Sequence, residues 1–121
     1  MTDVPSVSLD LARLDVIADG DPEVIAAVLE LYVQTADETL ATLADAAQRV
    51  DRVSLASAAH RLRGSSSAAG APIMASLAAS LESGASPSGA EDVVAMATSL
   101  LEALRAELVC VRAAIARASA A

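Results

Sequence analysis

The chain has no phenylalanine, no tryptophan and no lysine, and only one tyrosine (Tyr32), one histidine (His60) and one cysteine (Cys110). Each scarcity excludes something. With 55% hydrophobic residues and almost no aromatics, the core has to be built from Ala, Leu, Val and Ile. Ala and Leu are strong helix formers, and five glycines and four prolines in 121 residues leave long stretches uninterrupted. This composition favours closely packed helices in one domain over a sandwich or barrel.

A lone Cys110 excludes an internal disulfide. One histidine and one cysteine 50 positions apart also make a poor metal site, so no metal or cofactor is expected. No Gly-rich nucleotide loop of the P-loop or kinase type is present, which argues against an ATP site and kinase activity. Sixteen acids against eight arginines leave a net charge of −8, the wrong sign for a general nucleic-acid binder. No apolar run reaches the roughly 18–20 residues of a membrane span. Met1-Thr2-Asp3-Val4-Pro5 lacks the cationic start and apolar centre of a signal peptide, so the expected compartment is the cytoplasm.

The punctuation divides the chain into one short and four substantial helices. Residues 1–8 read as a loose lead-in. A short helix spans about Leu9 or Asp10 to Ala18, with Leu11, Leu14 and Ile17 at helical spacing and Gly20 suited to a left-handed cap. Asp21-Pro22-Glu23 starts a helix that reaches Gln48 and carries the stripe Ile25, Val28, Leu29, Tyr32, Ala36, Leu40, Leu43 and Ala47. Asp51 caps a third helix over about 52–69, broken by Gly70-Ala71-Pro72. A fourth spans about 72–83, with Ile73, Leu77 and Leu81 facing inward, and a Ser/Gly/Pro-rich loop covers 83–89. The last helix runs from about Ala90 to Arg117, with Val93, Ala97, Leu100, Leu104, Leu108, Val111 and Ile115 buried and the tail from 118 fraying. Short connections force neighbours to run antiparallel, so the expected fold is all-α: an antiparallel up-down four-helix bundle with a short extra N-terminal helix, in a single domain.

Charge is spread unevenly over this frame. Residues 1–48 carry ten acids and one arginine, whereas residues 49–71 carry Arg49, Arg52, Arg61 and Arg63 against Asp51 alone. The one basic segment therefore surrounds the one histidine. At about 100° per residue, Leu55, Ala58, Leu62 and Ala69 lie opposite His60, while Val53, Ala56, Ser57, Arg63, Gly64 and Ser67 lie within about 60° of it. His60 is thus expected on the exposed face. That face is built of small residues rather than long charged ones. Gly64 costs around 1 kcal/mol relative to alanine in a helix interior. One turn after His60, it removes a side chain that would crowd the imidazole. Arg63, at i+3, is within reach of an anion on the ring.

These residues resemble the signature of histidine-containing phosphotransfer (HPt) domains of bacterial phosphorelays. That signature is a histidine, a cation at i+3, glycine at i+4, two small residues and a Gly-Ala pair after the helix: here His60, Arg63, Gly64, Ser65, Ser66, Gly70 and Ala71. Leu29-Glu30-Leu31-Tyr32 and Leu77-Ala78-Ala79-Ser80-Leu81-Glu82 are similar to the family's flanking helices, so the resemblance covers about residues 9–118. It implies a four-helix bundle without enzymatic activity, in which His60 accepts a phosphoryl group from a receiver-domain aspartate or a histidine kinase and passes it to another receiver. Arg63 then orients the phosphate, Gly64 gives clearance, and Val53, Ala56, Ser57, Gly64 and Ser67 form the docking face. The family usually has lysine where this chain has Arg63, and often a large apolar residue where it has Ala69.

Partners on this reading are response-regulator receivers and a (hybrid) histidine kinase, with no nucleic acid and no membrane; the protein is expected to be monomeric. Magnesium is expected on the receiver partner only. The alternative is a pseudo-HPt module that binds a receiver or kinase through the same face without being phosphorylated. Retention of His60, Arg63 and Gly64 together speaks against it.

Overall fold

The computed structural model describes residues 7–120; the N-terminal lead-in before residue 7 and the last residue of the tail lie outside the described residues. Five α-helices are present: α1 (Leu11–Ala18), α2 (Pro22–Gln48), α3 (Arg52–Ala68), α4 (Pro72–Ala85) and α5 (Val93–Ala120). Consecutive helices from α2 to α5 pack as neighbours and α5 closes the ring against α2, giving the up-down four-helix bundle, with α1 laid against α2.

Local chemistry sets each boundary. Asp10, Asp21 and Asp51 cap α1, α2 and α3, their carboxylates accepting from the backbone N–H of Arg13, Glu23 and Ser54. Asp51 also accepts from the Ser54 hydroxyl at 2.7 Å, and these bonds hold its carboxyl below the usual carboxylate range. Asp92 accepts from Ala95 N–H at 3.0 Å, which starts α5 three residues later than the sequence predicts. The tail continues as helix to Ala120.

Three turns use left-handed residues, the first being Asp19-Gly20 after α1, at φ 52° and 73°. Gly70, at φ 74°, ends α3, and a Cβ there would stand 2.8 Å from the Asp10 carbonyl oxygen, so glycine is required twice over. Asp10 N–H donates to the Gly70 carbonyl at 2.6 Å, tying the start of α1 to the α3–α4 turn. After α2, Val50 N–H donates to Ala47 and Asp51 N–H to Ala46, the Schellman pattern, but the left-handed position at φ 54° is held by a β-branched valine.

The core is aliphatic. Leu29, Tyr32, Ala36, Leu40, Leu43 and Ala47 of α2, Leu55, Ala58 and Leu62 of α3, and Val93, Ala97, Leu104, Leu108 and Val111 of α5 are buried. The predicted stripes of α2 and α5 hold, with Ile25, Val28, Leu100 and Ile115 half-buried and Leu101 joining the core. In α1 Leu14 is buried and Leu11 exposed, and the side chain of Ile17 lies outside the described residues. In α4 Leu81 is buried and Leu77 packs against the core as expected, with Ile73 half-buried, but the buried arc is wider than expected and takes in Met74, Ala78 and Ala85. This helix is wedged between α3 and α5, so two of its faces are covered. Alanines at 58, 59 and 78 let α3 and α4 approach closely, the most extensive helix pair in the bundle.

Two polar contacts fix the frame. Tyr32 Oη and Ser66 Oγ share a buried hydrogen bond of 2.6 Å between α2 and α3. Burial pushes the Tyr32 hydroxyl up to about 12, with the Glu107 carboxylate adding to the effect and the Ser66 bond opposing it. Arg52 reaches across the bundle and donates to the carbonyls of Gly84 (3.5 Å), Ser86 (3.0 Å) and Ala90 (2.5 Å), pinning the α4–α5 connection to the start of α3.

Candidate functional site

His60 stands in the middle of α3, with its side chain 65% exposed. Leu55, Ala58, Ala59, Leu62 and Ser66 anchor the opposite side of the helix, so packing holds the imidazole outward. Val53, Ser57, Arg63, Gly64 and Ser67 are exposed on the same face, and Ala56 is partly buried against the core. A Cβ built at Gly64 meets nothing within 4 Å. Glycine here neither admits another helix nor relieves a clash with the imidazole as it stands. It leaves the space above α3 free for whatever approaches the ring.

The site contains a residue whose role is not visible in the sequence. Glu82, the one charged residue of α4, is half-buried beside Leu81 and reaches across to α3. Its Oε2 is 2.9 Å from His60 Nδ1 and its Oε1 is 3.0 Å from Arg63 Nη1. A carboxylate only accepts, so Nδ1 carries the proton and donates it. The neutral ring then holds its lone pair on Nε2, the nitrogen remote from α4. One carboxylate thus fixes the tautomer of His60 and the position of Arg63. The signal for Glu82 is its isolation: a single acid in a fourteen-residue helix otherwise made of apolar and small residues.

The structure disperses the basic segment. Arg49 pairs with Asp45 at 2.9 Å and Asp51 at 3.3 Å, and Arg52 is taken up by the α4–α5 carbonyls. Only Arg61 and Arg63 stay beside His60, because a turn separates Arg49 from α3 and Arg52 leaves the helix at its first turn. Arg61 lines a shallow cleft towards α2 with Thr35, Glu38, Thr39, Thr42 and Ser65. Among the described residues no group of three or more His, Cys, Asp or Glu side chains is placed to hold a metal ion. No described helix is long and apolar enough to cross a membrane.

A histidine held outward on a helix, its Nδ1 bound to a carboxylate and a guanidinium one turn on, is suited to holding a phosphoryl group on Nε2. Comparisons with known proteins agree on the fold that carries it. A search of curated protein sequences finds no significant relative. Among solved structures, the chain is similar to the histidine-containing phosphotransfer domain of ArcB from Escherichia coli. The TM-score is 0.68 and the sequence identity 19%, with 91% of this chain and 94% of that one covered. The family model for the Hpt domain matches residues 27–118, which include α3, α4 and nearly all of α2 and α5. Domains of this family are phosphocarriers of two-component systems that work with receiver domains and histidine kinases, and this chain belongs to the Hpt domain family.

Proposed function

We propose that this protein is a phosphorelay intermediate in which His60 is phosphorylated on Nε2. The observation that carries the reading is the hydrogen bond from His60 Nδ1 to Glu82 on an otherwise open helix face. With the proton held on Nδ1, the Nε2 lone pair attacks the phosphorus of a receiver's aspartyl phosphate. The N–P bond forms, the P–O bond to the aspartyl carboxylate breaks, and that carboxylate leaves. The ring now bears a positive charge opposite Glu82, so no proton has to move. In the return step a second receiver's carboxylate attacks phosphorus, and the imidazole departs neutral, its proton still on Nδ1 and donated to Glu82.

Phosphoryl transfer is mainly positioning and charge neutralisation, and Arg63 supplies the cation from this side. Its guanidinium donates to Glu82 in the resting state and has further N–H groups for phosphoryl oxygens. Arginine in place of the family's usual lysine keeps the charge and adds planar, multidentate donation. Magnesium belongs to the receiver's acidic pocket rather than to this chain. The protein itself has no ATP site and no kinase activity on this reading. Val53, Ala56, Ser57, Gly64 and Ser67 form the surface the receiver covers.

The test is to incubate the protein with receiver domains phosphorylated on aspartate and to look for acid-labile, base-stable label. Label on wild type that disappears in His60→Gln supports the relay. Its absence from wild type, or its persistence in His60→Gln, overturns it. Receiver binding without any label would assign the protein to the pseudo-HPt class.

A further inference from the structure

Among the described residues, Arg49, Arg63 and Arg112 each pair with a carboxylate and Arg52 is bound by carbonyls. Arg13, Arg61, Arg105 and Arg117 are exposed and have no such partner among the described residues, but of these only Arg61 lies on α3 and only Arg13 lines a cleft that reaches α3's exposed face at Ser67. Arg13 is also the one arginine in a segment of 48 residues that holds ten acids.

Its place in the fold is also specific. The bond from Asp10 N–H to Gly70 and the burial of Leu14 fix α1 against the end of α3. Arg13 lines a cleft with Ser67, Ala71, Pro72 and Ala75. Asp10 lines it too, but its carboxylate is occupied in capping α1 through the Arg13 backbone N–H. Ser67 lies within about 20° of the His60 direction and about 10 Å further along α3. About 10 Å from His60 in the other direction lies Val53, a bulky aliphatic that is 80% exposed. The strip centred on His60 therefore has two unlike ends: an apolar one at Val53 and a cationic one at Arg13, with Arg61 and Arg63 at its flanks.

We propose that this asymmetry orients the docked receiver, and that Arg13 on α1 engages a receiver carboxylate outside the phosphoacceptor pocket while Val53 meets an apolar residue at the other end. The inference rests on the relay reading above and adds to it the sense of docking and a contact from outside the bundle. An acidic protein approaching an acidic pocket is repelled at long range, and cations placed beside the target reverse that locally. Of the cations beside the strip, Arg63 is half-compensated by Glu82, so the local steering charge falls to Arg13 and Arg61.

The experiment uses a panel of purified receivers from the same genome, each phosphorylated with acetyl phosphate, and takes as probe the one that labels His60 fastest. Transfer rates are measured for wild type, Arg13→Glu, Arg13→Gln and Arg105→Glu over a range of ionic strength. Arg105→Glu makes the same charge change on α5, away from the strip. The expected result is a fall of about tenfold in the second-order rate for Arg13→Glu at low salt, a smaller fall for Arg13→Gln, and a flatter salt dependence in both. Arg105→Glu should stay near wild type, and labelling of His60 by phosphoramidate should be unchanged in every variant. Equal losses in Arg13→Glu and Arg105→Glu would mean that net charge alone acts, and would overturn the proposal. No loss in either Arg13 variant would do the same. If no receiver labels wild-type His60, the relay reading fails first and takes this proposal with it.

Discussion

Glu82 and His60 are 22 positions apart in the sequence and 2.9 Å apart in space, carboxylate Oε2 to ring Nδ1. The contact spans two helices, so it depends on the close α3–α4 seam and not on either helix alone. Replacing Glu82 by Ala should leave the fold intact, because the side chain is at the surface end of that seam. It should release the ring to the mixture of tautomers that a free imidazole adopts. The expected effect is a drop of about tenfold in the rate of His60 phosphorylation, with Glu82→Gln intermediate. Nitrogen-15 spectra of the imidazole check the cause: Nδ1 protonated in wild type, mixed in Glu82→Ala.

Gly64 separates stability from activity. Nothing stands within 4 Å of a Cβ at this position, and the backbone is helical with no left-handed requirement. Gly64→Ala should therefore stabilise the protein by about 1 kcal/mol through helix propensity. The added methyl stands on the proposed docking face, so transfer from a phosphorylated receiver should slow by about tenfold at the same time. Urea unfolding and transfer kinetics on one preparation test both halves. A stabilised variant with undiminished transfer would show that the open space above α3 is not used.

Much of this was legible in the sequence, and the gaps have physical reasons. The bounds of α2 were readable because Asp21-Pro22 marks its start and an uninterrupted stripe marks its buried side. The buried and exposed sides of α3 followed from helical geometry, since its apolar residues keep to one side. The inward face of α4 was only partly readable: Leu81 is buried and Leu77 packs on the core, but nearly every residue is apolar or small, so the pattern does not mark the width of the covered arc, and Met74 and Ala78 proved more buried than Ile73 and Leu77. Glu82 was visible only as the end of a leucine-rich helix, because its meaning lies in a contact across helices. Arg52 was counted with the charges around His60, whereas its reach to the α4–α5 carbonyls exists only once that connection folds back.

Tyr32 predicts an alkaline limit to stability. Its hydroxyl is raised from 10.0 to about 12 in the folded protein, chiefly by burial. The group is neutral when protonated, so its contribution is complete below the unfolded value near 10 and is lost as pH rises from there through about 12. Denaturant midpoints followed by circular dichroism should fall across that interval in wild type. Tyr32→Phe should be less stable at neutral pH, because Ser66 loses its partner, and should show a flatter alkaline limb.

Val50 marks a place where the sequence is locally unfavourable. It occupies the left-handed position of the turn after α2 at φ 54°, and it is exposed, with no core contact to compensate. The left-handed conformation costs a non-glycine residue about 1–2 kcal/mol. Glycine would remove that cost while adding about 0.5–1 kcal/mol of unfolded-state entropy. Val50→Gly should thus stabilise by about 0.5–1 kcal/mol, read as a higher denaturant midpoint at unchanged slope, and phosphotransfer should stay at the wild-type level.

The buried bond between Tyr32 and Ser66 has one further consequence. Tyr32 is the only aromatic residue in the chain, and Ser66 sits on α3 one and a half turns from His60 on the helix's inner side. The protein therefore carries a single intrinsic fluorophore, unmasked by tryptophan, at the seam directly under its working helix. Its emission reports whether α3 shifts against α2 when His60 is loaded or a receiver lands, without any label being attached.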